Sequence, residues 1–112
     1  MAPDDEARLV HMIDAAETVA DFFRGRQRSD LDTDQMLLFA LVRAIEIIRE
    51  AATRVSADRR TANPNIPWAD ITGMRKRLVH AYFDIDRDTV WRTATEEVPF
   101  LLEALQGVSR EV

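Results

Sequence analysis

The chain has 112 residues, 46% of them hydrophobic and 31% charged, the balance of one folded domain spanning residues 1–112 and not of a disordered segment. It has no cysteine, which excludes disulfides, thiolate metal sites and thiol catalysis. Its formal net charge of −5 counts against a surface built throughout for nucleic acid, so any such binding needs a local basic patch. Three glycines and four prolines are few, and favour helices over a turn-rich β fold. Met1 to Glu6 carries three acids and no apolar run, unlike a signal peptide or membrane anchor. No apolar stretch is long enough to span a bilayer, and a cytoplasmic location is expected.

Four apolar stripes at helical spacing follow in chain order. Leu9, Ile13, Ala16, Ala20 and Phe23 form the first, which should stop near Gly25. Asp4 and Asp5 lie where negative charge suits the start of that helix. After a polar linker, Arg26 to Asp32, the second stripe runs Leu38, Leu41, Ile45, Ile48, Ala52, Val55, widened by Phe39, Val42 and Ile47. Asp32, Thr33 or Asp34 is its expected cap. Ser56 to Pro67 reads as a loop in which Arg59 and Arg60 are solvated. Pro67 suits the first position of a third helix, predicted to continue to Tyr82 with Trp68, Ile71, Met74, Leu78 and Val79 inward. Gly73 inside it suggests the close approach of another helix or a ligand. Phe83 to Asp86 reads as a turn with Asp86 as a cap. The last stripe is Trp91, Ala94, Val98, Leu101, Leu105, kinked or split at Pro99 and ended by Gly107. Four helices with short connections predict an all-α, up-and-down bundle of four to five helices.

Between Asp70 and Asp84 there is no acid, and that gap holds Arg75, Lys76, Arg77 and His80, the most basic window of the chain. Cations near a helix C-terminus also complement its dipole, so a purely structural reading stands beside a functional one. The functional reading is metal-free RNA cleavage. A base takes the ribose 2′-hydroxyl proton, the alkoxide attacks phosphorus, and the departing 5′-oxygen receives a proton. A histidine can perform either transfer near neutral pH, and an arginine can hold the charged phosphoryl oxygens. Tyr82 can donate a hydrogen bond or stack on a base. Arg75 and His80 stand five apart, about 140° apart on an ideal helix. Either the helix loosens near His80, or the site is a cleft between two copies of the chain; the latter is favoured. Trp68 and Trp91 read as core or interface anchors, Glu46 as a residue at the edge of the core. His11 has no visible partner.

The run Ile66-Pro67-Trp68-Ala69-Asp70-Ile71-Thr72-Gly73-Met74-Arg75-Lys76-Arg77-Leu78-Val79-His80-Ala81-Tyr82-Phe83 resembles the signature segment of the HepT family of HEPN-domain toxins. The pattern Arg-x-x-x-x-His-x-Tyr is met by Arg75, His80 and Tyr82. Arg43 to Ala52 and Asp86 to Leu105 are similar to other helices of that family. The resemblance implies a HEPN helical bundle that homodimerises, with a ribonuclease site in the interface cleft. It implies the toxin of a type II or VII toxin–antitoxin pair, an endoribonuclease that needs no metal and no cofactor. Arg75 and His80 would be catalytic, and Lys76 and Arg77 would bind RNA. The implied partner is an MNT-type nucleotidyltransferase antitoxin, with Tyr82 as the tyrosine to which AMP is added. Many relatives carry a small polar residue where this chain has Lys76, which keeps the patch basic but cannot accept a hydrogen bond. The alternative implied by related helical proteins is a non-catalytic binding partner of a nucleotidyltransferase.

Overall fold

The computed structural model describes residues 4–74, 78–81 and 84–110, with backbone alone at 80, 81, 109 and 110. Helix α1, Asp5–Phe23, starts with Asp5 and Glu6 in its first turn and stops at Gly25, whose φ of 74° is the left-handed conformation that glycine adopts without steric cost. Its buried face is Leu9, Met12, Ala15, Ala16 and Val19. That face is turned from the predicted stripe, and Ile13 and Phe23 are only partly covered. The reason is that α1 packs on two partners, α3 and the last helix, and so needs a broad apolar face.

The polar linker contains one helical turn, α2 (Asp30–Thr33), with Leu31 buried. Among the three predicted caps it is Asp34 that caps α3 (Gln35–Thr53), its carboxylate accepting from the Leu37 N–H at 3.0 Å. Leu38, Leu41, Ile45, Ile48 and Ala52 are buried as predicted, and Val55 just beyond the helix is too. Phe39, placed by its spacing on the flank of the core, is instead 54% exposed.

The segment from Ser56 to Pro67 is not all loop. Ser56 caps a short helix, α4 (Ala57–Ala62), by accepting from the Arg59 N–H. Arg59 is not solvated either: it is buried and donates to Glu6 at 2.7 Å and Asn63 at 3.0 Å. Trp68 Nε1 donates to the Asn63 carbonyl at 3.0 Å and so pins this segment to α5 (Trp68–Thr72), as an anchor should. Pro67 is the residue before α5, one position earlier than predicted.

The third predicted helix is shorter than its spacing indicates. It is interrupted at Gly73, with Met74 and Leu78 again helical, and a Cβ added at Gly73 would meet only carbonyls of its own turn, Ala69 at 3.4 Å being the nearest. Gly73 therefore ends α5, and among the described residues no other helix approaches it closely. Ile71, Met74 and Leu78 are buried as predicted, with Trp68 and Val79 half-covered. Past Leu78 the chain is extended. Strand β1 (Val79–Ala81) pairs antiparallel with β2 (Asp84–Ile85), Val79 opposite Ile85 and Ala81 opposite Asp84.

Asp86 then caps α6 (Arg87–Arg92). The helix is interrupted just before Pro99. It widens into a π-helical turn, Thr93–Glu97, and continues as α7 (Val98–Arg110). Pro99 falls in the first turn of α7, where its missing N–H costs least. Gly107 does not end the helix, which runs on to Arg110. Val90, Ala94, Val98, Leu101 and Leu105 are buried, and Trp91 packs edge-on against Phe23 at 6.1 Å. The molecule is an all-α bundle in which α1 and α3 form the central pair, flanked by α5 and by α6–α7.

Candidate functional site

The basic window begins and ends on buried anchors, Met74 at 3% and Leu78 at 1% exposure. These apolar side chains tie the backbone on either side of the cations into the core. The hairpin that follows is fastened by one residue. Asp86 donates its N–H to the Leu78 carbonyl at 2.8 Å, and its carboxylate accepts from the Thr89 N–H at 3.0 Å. It thus closes the hairpin and starts α6. Arg87 Nε donates to the Leu31 carbonyl at 3.2 Å, and Arg28 donates to both Asp88 (2.6 Å) and Asp32 (3.0 Å). Those two carboxylates, Asp88 foremost, raise the Arg28 pKa above its ordinary value. The strand end of the window is therefore held through α6 against α2.

Among the predicted site residues, Arg75, Lys76, Arg77 and Tyr82 lie outside the described residues. His80 is described in its backbone, as the middle residue of β1. That corrects the predicted helix through Tyr82. A five-residue separation means 140° only on a continuous helix, and Val79–Ala81 is extended. Of the two explanations for the Arg75–His80 spacing, the loosened helix matches this backbone. Glu46 sits at the edge of the core, its side chain 22% exposed and 3.6 Å from Arg43.

Beside the window lies a groove that the sequence did not announce. It has a volume of about 340 Å³ and separates α5 from the π-helical turn. Pro67, Ile71, Met74, Phe100 and Leu101 form its apolar walls, and Asp70, Glu96 and Glu97 its rim. The π turn sets that rim: Val98 donates to the Thr93 carbonyl five residues back, and Thr93 Oγ1 donates to Glu97 at 3.1 Å. Such turns recur at functional sites because they displace side chains from the regular helical face. Pro99, after two threonines in an otherwise helical stripe, was the only trace of it in the sequence. Among the described residues that line this groove none is basic.

The family model "Ribonuclease HepT-like" matches residues 12–108, a span that includes the basic window, the hairpin and the last helix. The chain belongs to the HepT-like ribonuclease family. Curated relatives agree. It is 34% identical over 105 residues to "Putative RNase MJ1380" of Methanocaldococcus jannaschii, covering 94% of this chain and 96% of that one. It is 37% identical over 93 residues to "Probable ribonuclease HepT" of Thermococcus cleftensis, covering 83% and 84%. It is 33% identical over 100 residues to "Putative RNase TTE0752" of Caldanaerobacter subterraneus, covering 89% of each. No solved structure matches significantly.

As a HepT-like ribonuclease, the chain has its family's span on nearly all of its described core. Among the described residues no helix is long and apolar enough to cross a membrane. Among them, too, no three His, Asp or Glu side chains converge as a metal site.

Proposed function

We propose that this HepT-like ribonuclease cleaves RNA without a metal ion, in a cleft formed by two copies of the chain, and that it is the toxin of a toxin–antitoxin pair acting in the cytoplasm. The observation that carries the reading is the family match across residues 12–108, which contains Arg75, His80 and Tyr82 in the spacing Arg-x-x-x-x-His-x-Tyr. The reaction moves two protons. One leaves the 2′-hydroxyl as its oxygen attacks phosphorus; the other reaches the departing 5′-oxygen. The products are a 2′,3′-cyclic phosphate and a free 5′-hydroxyl. The window has one histidine per chain, so a two-fold pair supplies two, one in the basic and one in the acidic form. Arg75 offers a permanent cation to the phosphoryl oxygens as charge builds on them. Lys76 and Arg77 contribute attraction for the RNA backbone that weakens with salt.

The test is cleavage of a labelled RNA by purified protein in a chelator. His80→Ala is expected to lower the rate by about a hundredfold or more, the usual weight of a general acid–base group. Equal cleavage by wild type and His80→Ala removes His80 from the mechanism.

The net charge of −5 and the acid-rimmed groove favour a second reading, a chain whose business is to bind a nucleotidyltransferase. Expression alone separates the two. Growth arrest that Arg75→Ala abolishes supports the toxin, and normal growth with intact partner binding supports the binding module.

A further inference from the structure

The groove between α5 and the π-helical turn begins where the cationic window begins. Met74 forms part of its wall, and Arg75, the first cation of the window, is the next residue in the chain. Its volume of about 340 Å³ lies at the lower end of the range, about 300 to 1,000 Å³, of sites that enclose a small ligand. That size suits a compact, flat tenant better than a docked helix.

Two side chains of the groove are not used by the fold. Phe100 is 65% exposed. It lines this groove and also a second hollow, formed with Asn65, Ala104 and Gly107, so its ring stands between two open spaces and not against the core. Glu96 is exposed, and among the described residues its carboxylate makes no hydrogen bond or ion pair. Its neighbour Glu97 accepts from Thr93 Oγ1 at 3.1 Å. The π turn therefore ties down Glu97 and leaves Glu96 at the rim.

We propose that this groove holds one base of the RNA, stacked on Phe100 and read by Glu96, and that the base it prefers is guanine. An unpaired base in single-stranded RNA is commonly stacked on an aromatic ring while its Watson–Crick edge is read by hydrogen bonds. A carboxylate has two oxygens that accept and nothing that donates. Guanine carries two adjacent donors on that edge, N1–H and the N2 amino group, and so can fill both oxygens. Adenine and cytosine each present one amino donor beside a ring nitrogen that itself accepts. The single N–H of uracil is flanked by two carbonyls. The apolar walls Pro67, Ile71 and Leu101 keep water from the contact, which strengthens the hydrogen bonds that form and penalises acceptors left facing one another. Because Arg75 comes directly after Met74, a base seated here keeps its own phosphates within reach of the cations. The inference rests on the ribonuclease reading above and names the base that the site selects.

Cleavage of short single-stranded RNAs with guanine, inosine, adenine or uracil at one otherwise identical position tests this. Inosine differs from guanine only in lacking the 2-amino group. Wild type is expected to cut the guanine form with kcat/KM about tenfold or more above the inosine form, the weight of one hydrogen bond to a charged group. Glu96→Gln, which replaces one acceptor by a donor, is expected to treat the two alike, and Phe100→Ala to raise KM for every base. Wild-type cleavage that is indifferent to guanine and inosine overturns the proposal, as does a Glu96→Gln variant that keeps the preference. Binding of the same RNAs to His80→Ala is measured beside cleavage. A guanine preference in binding with no cleavage by wild type removes the reaction and keeps the base site. Cleavage without preference removes the base site alone, and neither preference nor cleavage removes both. A Phe100→Ala variant that handles RNA like wild type but no longer holds a nucleotidyltransferase assigns the groove to a protein and overturns the proposal.

Discussion

At Asp5 one carboxylate joins parts of the chain 51 positions apart. It is fully buried and accepts from the Ser56 backbone N–H at 2.9 Å and from the Ser56 hydroxyl at 2.6 Å. These hydrogen bonds, the hydroxyl first, hold its pKa below the ordinary aspartate value, helped by the nearby Arg59 charge and opposed by burial. A carboxylate depressed in the folded state contributes stability above its unfolded pKa, and that contribution is lost as pH falls through the folded one. Asp5→Asn should therefore unfold at lower denaturant than wild type at pH 7, with the gap closing as the pH drops below about 4. A gap that stays constant with pH would show that the carboxylate charge is not what matters there. The sequence placed Asp5 correctly at the start of α1 but assigned it only to the helix dipole. It put Arg59 in a solvated loop, and Arg59 is buried against Glu6, 53 positions away. Neither partnership leaves a local spacing to read.

Helix boundaries test local chemistry most directly, and two glycines divide it. Gly25 holds φ at 74° with open space around it, so a methyl group would meet no neighbour and would suffer only the backbone strain. Gly25→Ala should cost about 1 kcal/mol. Gly107 also has open space but lies inside α7, where alanine is the better helix former. Gly107→Ala should gain up to about 1 kcal/mol, less if the end of the helix frays. Urea unfolding of both variants reads the opposite signs; a destabilised Gly107→Ala would mean that α7 ends where the sequence first suggested. Both glycines carry the same stop signal in the sequence. Only the first coincides with the end of the apolar stripe's packing, since Val108 is buried beyond the second.

For the whole molecule, control of activity is expected to act through a partner. If Tyr82 is the point of control, its phenolic oxygen attacks the α-phosphorus of ATP on a nucleotidyltransferase, pyrophosphate leaves, and the chain gains AMP. A bulky negative group beside the cationic window repels RNA phosphates. Intact-mass measurement after co-expression with such a partner should show the gain of AMP in wild type and none in Tyr82→Phe, with RNA cleavage restored in the latter. An unmodified wild type that is nonetheless silenced would assign control to binding alone.

What the sequence by itself determined is the class and the family. The apolar stripes specified an all-α bundle and most of its core, because burying one face of a helix leaves a period of 3.6 that any reader can count. The run from Ile66 to Phe83 specified the HepT-like family, because side-chain identity at fixed spacing needs no coordinates. The tertiary structure alone decided where the third helix stops, that His80 enters a strand, and that the last helix widens at Thr93–Glu97. These depend on contacts between separate elements, Leu78 with Asp86 across the hairpin and α1 with α3, and their energies are not written in the spacing of any one segment.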